Sequence, residues 1–323
     1  MALGLAVGSV FVYLNNTSRL SAPGAPGPTL LAHRGIAPRF EVAGIENDTC
    51  TATRIAPPTT TYLENTIPSM RASFAAGADV VELDVHPTTD GAFAVFHDWT
   101  LDCRTDGHGV TREHSMDELR HLDAGFGYTA DNGKSFPFRG KGVGLIPSLT
   151  DVLGAFPHRR FLINVKSNDP LEGSRLAAAL GELPAERRDD LMVYGGDRPI
   201  GELRRALPRM KVMSRAALTA CLGRYVAWGW TGAVPERCAD MVILVPSNIA
   251  PWLWGWPGRF LARMRSVRSE TFVLGPYHRG QFSTGIDTAD ALHALPAGYA
   301  GGIWTDEIEV IARAVGRAPT AFP

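Results

Sequence analysis

The chain has no excess of either charge: 32 Lys and Arg balance 33 Asp and Glu, giving a formal net charge of −1 over 323 residues. That balance gives no support to a nucleic-acid partner, which ordinarily needs a basic stripe. No apolar run is long enough to span a bilayer. The uncharged, mostly apolar run Ala2–Leu14 falls short of the roughly 20 residues a spanning helix requires. Cysteine is scarce. Only Cys50, Cys103, Cys221 and Cys238 occur, and no two form a Cys-x-x-Cys pair, which argues against a zinc ribbon or a thioredoxin-type centre. Short-period repeats and coiled-coil heptads are absent as well.

What remains is an ordinary globular composition, 45% apolar and 20% charged, able to bury a large core. The length allows two ordinary domains or one α/β barrel of about 250 residues with loops. Residues 1–20 read as an N-terminal apolar helix, either a signal-sequence core without a preceding basic residue or the end of a longer membrane anchor; a buried core helix is the alternative. Residues 21–28, rich in Pro and Gly, read as a linker, and residues 29–323 as the main domain. This arrangement implies an extracytoplasmic or membrane-anchored location. The four cysteines allow two disulfides in three pairings, with free buried thiols as the alternative; disulfides would agree with an oxidising compartment.

The chain is organised around Val80-Val-Glu-Leu-Asp-Val-His86 and the following Ala92-Phe-Ala-Val-Phe-His97-Asp98, joined through Thr89-Asp90-Gly91. In the first segment Val81, Leu83 and Val85 alternate with Glu82 and Asp84, so both carboxylates share one face of a strand. Asp-Gly signals a tight turn, and the third segment reads as a second strand. Hairpin pairing then places Asp84 near Val95 and Glu82 near His97. Oxygen ligands spaced two apart suit Mg²⁺ or Ca²⁺, and an adjacent His suits proton transfer. The plain alternative is a wet edge strand with a polar neighbour.

A strand ending in His33-Arg34-Gly35 comes first, and Glu64-Asn65-Thr66 leads into a helix over Ile67–Ala76. Strand-like runs recur at Phe161–Lys166, Leu191–Tyr194, Lys211–Ser214, Met241–Val245, Thr271–Leu274 and Gly302–Thr305, with helical segments between most of them. Eight principal strands alternating with helices imply a TIM (β/α)8 barrel, here with an extra β-hairpin after the second strand and an N-terminal apolar helix. The strand ends carry His33, Arg34, Glu82, Asp84, Lys166 and Asp306, as a barrel active site requires.

The motifs His33-Arg34-Gly35, Glu64-Asn65-Thr66, Glu82-Leu-Asp84-Val85, Thr89-Asp90-Gly91, His97-Asp98, Pro147-Ser-Leu149, Asn164-Val-Lys166 and Thr305-Asp306 occur in this order. Together the chain resembles the glycerophosphodiester phosphodiesterase family from about Leu30 to Asp306. The resemblance implies a metal-dependent hydrolase that splits a glycerol-containing phosphodiester into an alcohol and glycerol phosphate. His33 and His97 would be its general acid–base pair. Arg34 and Lys166 would hold the phosphate, and Glu82 and Asp84 a divalent metal ion, Ca²⁺ or Mg²⁺. Glu64 would complete the metal or glycerol site. In the family the neighbouring glycerol hydroxyl is taken as the nucleophile, giving a cyclic phosphate that water opens.

One position departs from the family: Asn164 stands where an acidic metal ligand is usual, and its neutral carbonyl is a weaker ligand. It also motivates a catalytically inactive binding homologue as an alternative. A lysophospholipid or phospholipid substrate at a membrane surface is a further alternative, raised by the apolar N-terminus and the segment Trp252–Phe260, which is expected at the barrel mouth. The insertion Ile36–Tyr62 is also expected at the mouth, where loops set specificity. A wet loop is expected after the helix near Ser115–His121, extending to about Gly144. His86, His108, His114 and His121 read as surface residues. Tyr277-His278-Arg279-Gly280 echoes the first motif, and Asn15 and Asn47 begin sequons.

Overall fold

The computed structural model describes residues 2–18, 27–46, 49–278 and 284–320. Strands β1 (Thr29–Ala32), β2 (Val80–Pro87), β3 (Phe93–Val95), β4 (Arg160–Val165), β5 (Leu191–Gly195), β6 (Lys211–Ser214), β7 (Val242–Pro246), β8 (Glu270–Leu274) and β9 (Gly302–Thr305) form one sheet. Its parallel path runs β6-β5-β4-β2-β1-β9-β8-β7. A bridge between Val212 and Met241 brings the two ends together, so the sheet is a nearly closed TIM barrel. β3 pairs antiparallel with β2, Val85 opposite Val95, one residue along from the register expected of the hairpin.

Strand alternation divides the core in two. Leu31, Val80, Leu162, Met192, Leu244, Phe272 and Trp304 fill the barrel, while Val81, Leu83, Phe161, Ile163, Val193, Ile243 and Val273 pack outward under the helices. Two steps beyond Val80, Leu162 and Met192, the inward positions become Glu82 and Asp84, Asn164, and Tyr194. The barrel lumen therefore changes from apolar to polar towards the strands' carboxyl ends.

A third apolar cluster lies outside the barrel. Ala52, Ile55, Leu63, Phe96, Leu101, Leu119, Tyr128, Phe138 and Ile146 pack into a lobe built from the insertion and the long segment after the hairpin. This corrects the expectation of a wet loop up to Gly144. Asp123, itself buried, accepts from the backbone N–H groups of Gly125 and Gly142, both at 2.9 Å, and so gives an aperiodic segment a fixed path. The Pro147-Ser-Leu149 motif is structural. The Pro147 carbonyl accepts from Val95 N–H at 2.8 Å, and Ser148 caps the helix Leu149–Ala155 in a capping box with Asp151.

Both disulfides are formed, Cys50–Cys103 and Cys221–Cys238, and no described cysteine is free. The first ties the insertion to the loop after His97 across 53 residues, a span for which loop-closure entropy predicts about 4 kcal/mol of stabilisation. Thiol labelling of the unfolded, unreduced protein is expected to find no reactive cysteine. Four labelled thiols would refute both pairings.

The N-terminal helix α1 (Ala2–Asn16) docks its last residues on the barrel. Asn15 and Asn16 amides donate to the Trp230 carbonyl at 3.0 and 2.9 Å, and Arg263 donates to the Asn15 carbonyl at 2.9 Å. The Asn15 side chain of the first sequon is thus engaged. Val10, Phe11, Tyr13 and Leu14 stay exposed. Among the described residues no helix is long and apolar enough to cross a membrane. Most of the expected linker, the sequon at Asn47, and Arg279-Gly280 lie outside the described residues.

Candidate active site

Backbone geometry at the mouth is unusual at the motif residues. Arg34 and Asn65 both adopt φ of 59°, a left-handed conformation costly for side-chain-bearing residues and often found at functional sites. Three hydrogen bonds enforce it: His33 N–H to the Thr305 carbonyl at 3.0 Å, Arg34 N–H to the Glu82 carbonyl at 3.1 Å, and Asn65 N–H to the Arg34 carbonyl at 2.9 Å. Gly35 is required by contact as well as conformation, because a Cβ there would lie 2.2 Å from Ser69 Oγ. Thr66 accepts from Ser69 N–H at 3.3 Å and caps the helix Ile67–Ala76, which anchors the Glu64-Asn65 turn.

The two histidines are each held by an aspartate. His33 Nδ1 lies 2.6 Å from Asp306 Oδ1, its Nε2 is 3.8 Å from Glu82 Oε2, and its ring packs on Trp304 at 4.8 Å. His97 Nδ1 lies 2.6 Å from Asp98 Oδ1. In both, an Nδ1–H donated to the carboxylate leaves Nε2 for chemistry. Their electrostatics differ. Burial and Arg34 oppose charge on His33, but Asp306 and Glu82 outweigh them and its pKa is raised. Burial and Arg34 prevail at His97, whose pKa falls to about 4 despite Asp84 and Asp98.

Asp84 is fully buried and surrounded by donors. Asn65 reaches Oδ2 at 3.0 Å and Asn164 reaches Oδ1 at 2.8 Å, with Lys166 Nζ 3.5 Å and Arg34 Nε 3.3 Å away. Burial raises its pKa, but Lys166, His97, Arg34 and the Asn65 hydrogen bond prevail and hold it well below the usual carboxylate range. Glu82 differs. Tyr194 donates to Oε1 at 2.6 Å, whereas Oε2 is buried with no hydrogen bond. Burial and the Asp84 charge push Glu82 up to about 7.

No group of three His, Cys, Asp or Glu that could hold a metal occurs among the described residues. The third position on this face is Asn164. The set nevertheless fits a divalent cation. The unsatisfied Glu82 oxygen, beside the Asp84 charge, has the chemistry of a ligand, and an Asn164 carbonyl is a neutral oxygen of the kind such ions accept. Glu64, expected to complete the metal or glycerol site, instead lies between guanidiniums: Arg34 Nη1 at 3.3 Å from Oε1 and Arg104 Nη1 at 3.1 Å from Oε2.

His33, Arg34, His97, Asp98, Asn164, Lys166, Tyr194 and Trp304 line one open cavity of about 690 Å³ at the barrel mouth, walled on one side by Ile45, Glu46, Thr49 and Thr51 of the insertion. Of the expected site residues, His33, Arg34, His97, Asn164 and Lys166 line this cavity, whereas Glu64, Glu82 and Asp84 do not. The Trp252–Phe260 segment does not line it, contrary to expectation. Trp254 and Trp256 pack on the outer core, Trp256 against Phe260 and Tyr299, while Trp252 is exposed. His86 is also corrected. It is buried beneath the site, its Nε2 3.4 Å from the His97 carbonyl, and burial lowers its pKa to about 4. Asp98, Asp306, Tyr194, Asn65 and Arg104 went unassigned. Three of them, Asn65, Asp98 and Asp306, stand within the motifs themselves.

The fold and site define a barrel with its polar centre at the strand ends, built for a charged ligand. Residues 33–188 match the model of the glycerophosphoryl diester phosphodiesterase family. The chain is 35% identical over 103 residues to a glycerophosphodiester phosphodiesterase of Caldanaerobacter subterraneus, and 36% identical over 123 residues to one of Bacillus subtilis. These stretches cover 32% and 36% of this chain, and 39% and 41% of those relatives. The chain therefore spans well under half the length of the curated relatives it matches. Crystal structures of a glycerophosphodiester phosphodiesterase from Agrobacterium tumefaciens (TM-score 0.56, 21% identity, covering 89% of this chain and 98% of that one) and of an Oleispira antarctica phosphodiesterase with the product sn-glycerol-3-phosphate (TM-score 0.55, 17% identity, 89% and 96%) share the fold. Over residues 33–188, then, the chain matches the glycerophosphodiester phosphodiesterase family, and its barrel has the fold of these solved structures.

Proposed function

We propose that this protein hydrolyses glycerol-containing phosphodiesters, releasing an alcohol and a glycerol phosphate, with His33 and His97 as the proton-transfer pair. The observation that carries the reading is the pair of aspartate-held imidazoles, His33–Asp306 and His97–Asp98, which share one cavity with Arg34 and Lys166.

His97, neutral through the physiological range, is the base that takes the proton of the attacking hydroxyl through Nε2. His33, whose charged form Asp306 and Glu82 favour, gives its proton to the departing alkoxide. Arg34 grips phosphate oxygens with the fork donors that Glu64 and Asp84 leave free, and Lys166 adds a point charge where negative charge builds. Glu82, Asp84 and the Asn164 carbonyl are the residues that would hold a divalent ion, Ca²⁺ or Mg²⁺; when bound, it supplies further charge stabilisation at the phosphoryl oxygens.

A second reading replaces the soluble diester with a lysolipid met at a membrane surface. Exposed Phe11, Tyr13, Leu14, Trp228 and Trp252 favour it, since aromatic rings suit the membrane interface. Alcohol release from glycerophosphocholine, glycerophosphoglycerol and micellar lysolipids, each with added Ca²⁺ or Mg²⁺ and with EDTA, tests both. Turnover of the soluble diesters supports the first reading, and turnover of the micellar substrate alone the second. No turnover of any substrate in any metal would leave a binding protein.

A further inference from the structure

The two arms of the centre meet at one buried guanidinium. Arg104 is 2% exposed. Its Nε donates to Asp98 Oδ2 at 2.9 Å, its Nη2 to Thr51 Oγ1 at 2.6 Å, and its Nη1 to the Tyr128 hydroxyl at 2.6 Å, with Glu64 Oε2 3.1 Å away. Each carboxylate uses its other oxygen on the site: Asp98 Oδ1 holds His97, and Glu64 Oε1 faces Arg34. A single cation therefore ties the proton-transfer arm to the phosphate arm.

The chain fixes this cation from both sides. Cys103, directly before Arg104, is bonded to Cys50, directly before Thr51. The Gly127 N–H donates to the Arg104 carbonyl at 3.1 Å, and a Cβ on Gly127 would lie 1.9 Å from the Cys103 carbonyl oxygen, so only glycine allows that approach. Arginine's planar fork serves several acceptors at once, which an ammonium on a flexible stem does not.

We propose that Arg104 is a positioning residue, setting His97 through Asp98 and Arg34 through Glu64, and that the Cys50–Cys103 crosslink holds it in place. The role rests on the phosphodiesterase reading but makes a separate claim, since Arg104 does not line the cavity of the site. Misplacing catalytic groups by about 1 Å from a distance can cost a hundredfold in rate.

The test uses the full chain and glycerophosphocholine, comparing wild type with Arg104→Met, Arg104→Lys and the double variant Cys50→Ser/Cys103→Ser. Arg104→Met is expected to lower kcat by about a hundredfold and raise KM, with Arg104→Lys intermediate. A pH profile separates positioning from mere stability. The charged groups facing His97 are Arg34, Asp84, Asp98 and Lys166. Without Arg104, Asp98 acts on the imidazole uncompensated, so the acid limb of kcat/KM moves up towards the ordinary histidine value of about 6.5. A folded Arg104→Met with wild-type kcat, KM and acid limb overturns the proposal. If that variant does not fold, an unchanged Arg104→Lys overturns it. An unchanged double variant removes the crosslink from the role. If wild type hydrolyses no diester, the phosphodiesterase reading fails instead; NMR titration of His97 in wild type and Arg104→Lys then decides, an unmoved titration refuting the positioning role.

Discussion

Replacing His33 or His97 with alanine lowers kcat by about a hundredfold or more and leaves the fold intact, the usual scale for general acid–base groups. The fold is spared because neither ring belongs to an apolar cluster of the core; each is held by one aspartate, and His33 leans on Trp304. The wild-type pH profile should be broad, and each variant should lose a different limb of it. His97, held down to about 4 by burial and Arg34, sets the acid limb, because protonation removes the base. His33, raised by Asp306 and Glu82 against the opposing effect of burial, sets an alkaline limb above the ordinary histidine value, because deprotonation removes the acid. The residual activity of His97→Ala should therefore lose the acid limb, and that of His33→Ala the alkaline one. A variant that keeps most of the wild-type kcat, or loses the opposite limb, would refute its assigned role.

The parts of the structure written in local pattern were legible in the sequence. The strand at Val80–Pro87 announces itself through alternation, and the same alternation places Glu82 and Asp84 together in the lumen. By the same parity Tyr194 follows Met192 inward on β5, where it donates to Glu82. The partners that tune the centre were not legible, because tertiary folding sets them. Asp306 reaches His33 from the opposite end of the chain, and nothing around Arg104 except Cys103 marks it as buried. The lobe up to Gly144 was misread because Asp123 and scattered aromatics order it, without any periodicity. The helix α1 was expected to stand apart through a linker, yet its end docks through asparagine amides on a backbone carbonyl, a contact with no compositional signature.

Asn164→Asp should produce the largest change in thermal behaviour. In wild type the Asn164 amide donates to Asp84 at 2.8 Å, helping keep that buried carboxylate ionised beside Glu82. An aspartate removes this donor and places a third negative charge on the same face. Without metal, like charges at that distance oppose one another, and losing a buried hydrogen bond to a charged group costs about 1.5–3 kcal/mol. The variant should therefore melt several degrees below wild type in EDTA. With metal the sign reverses, because an added charged ligand raises affinity for a hard cation. Binding at a hundred times Kd stabilises the native state by about 2.7 kcal/mol, so a tighter site gives a larger rise at equal metal concentration. Melting curves in EDTA and in millimolar Ca²⁺ or Mg²⁺ measure both effects without requiring turnover. A larger metal-induced rise in the variant places residue 164 on the ion with Glu82 and Asp84. An unchanged response would mean that this side chain serves only to satisfy Asp84, and that the ion is completed by another oxygen.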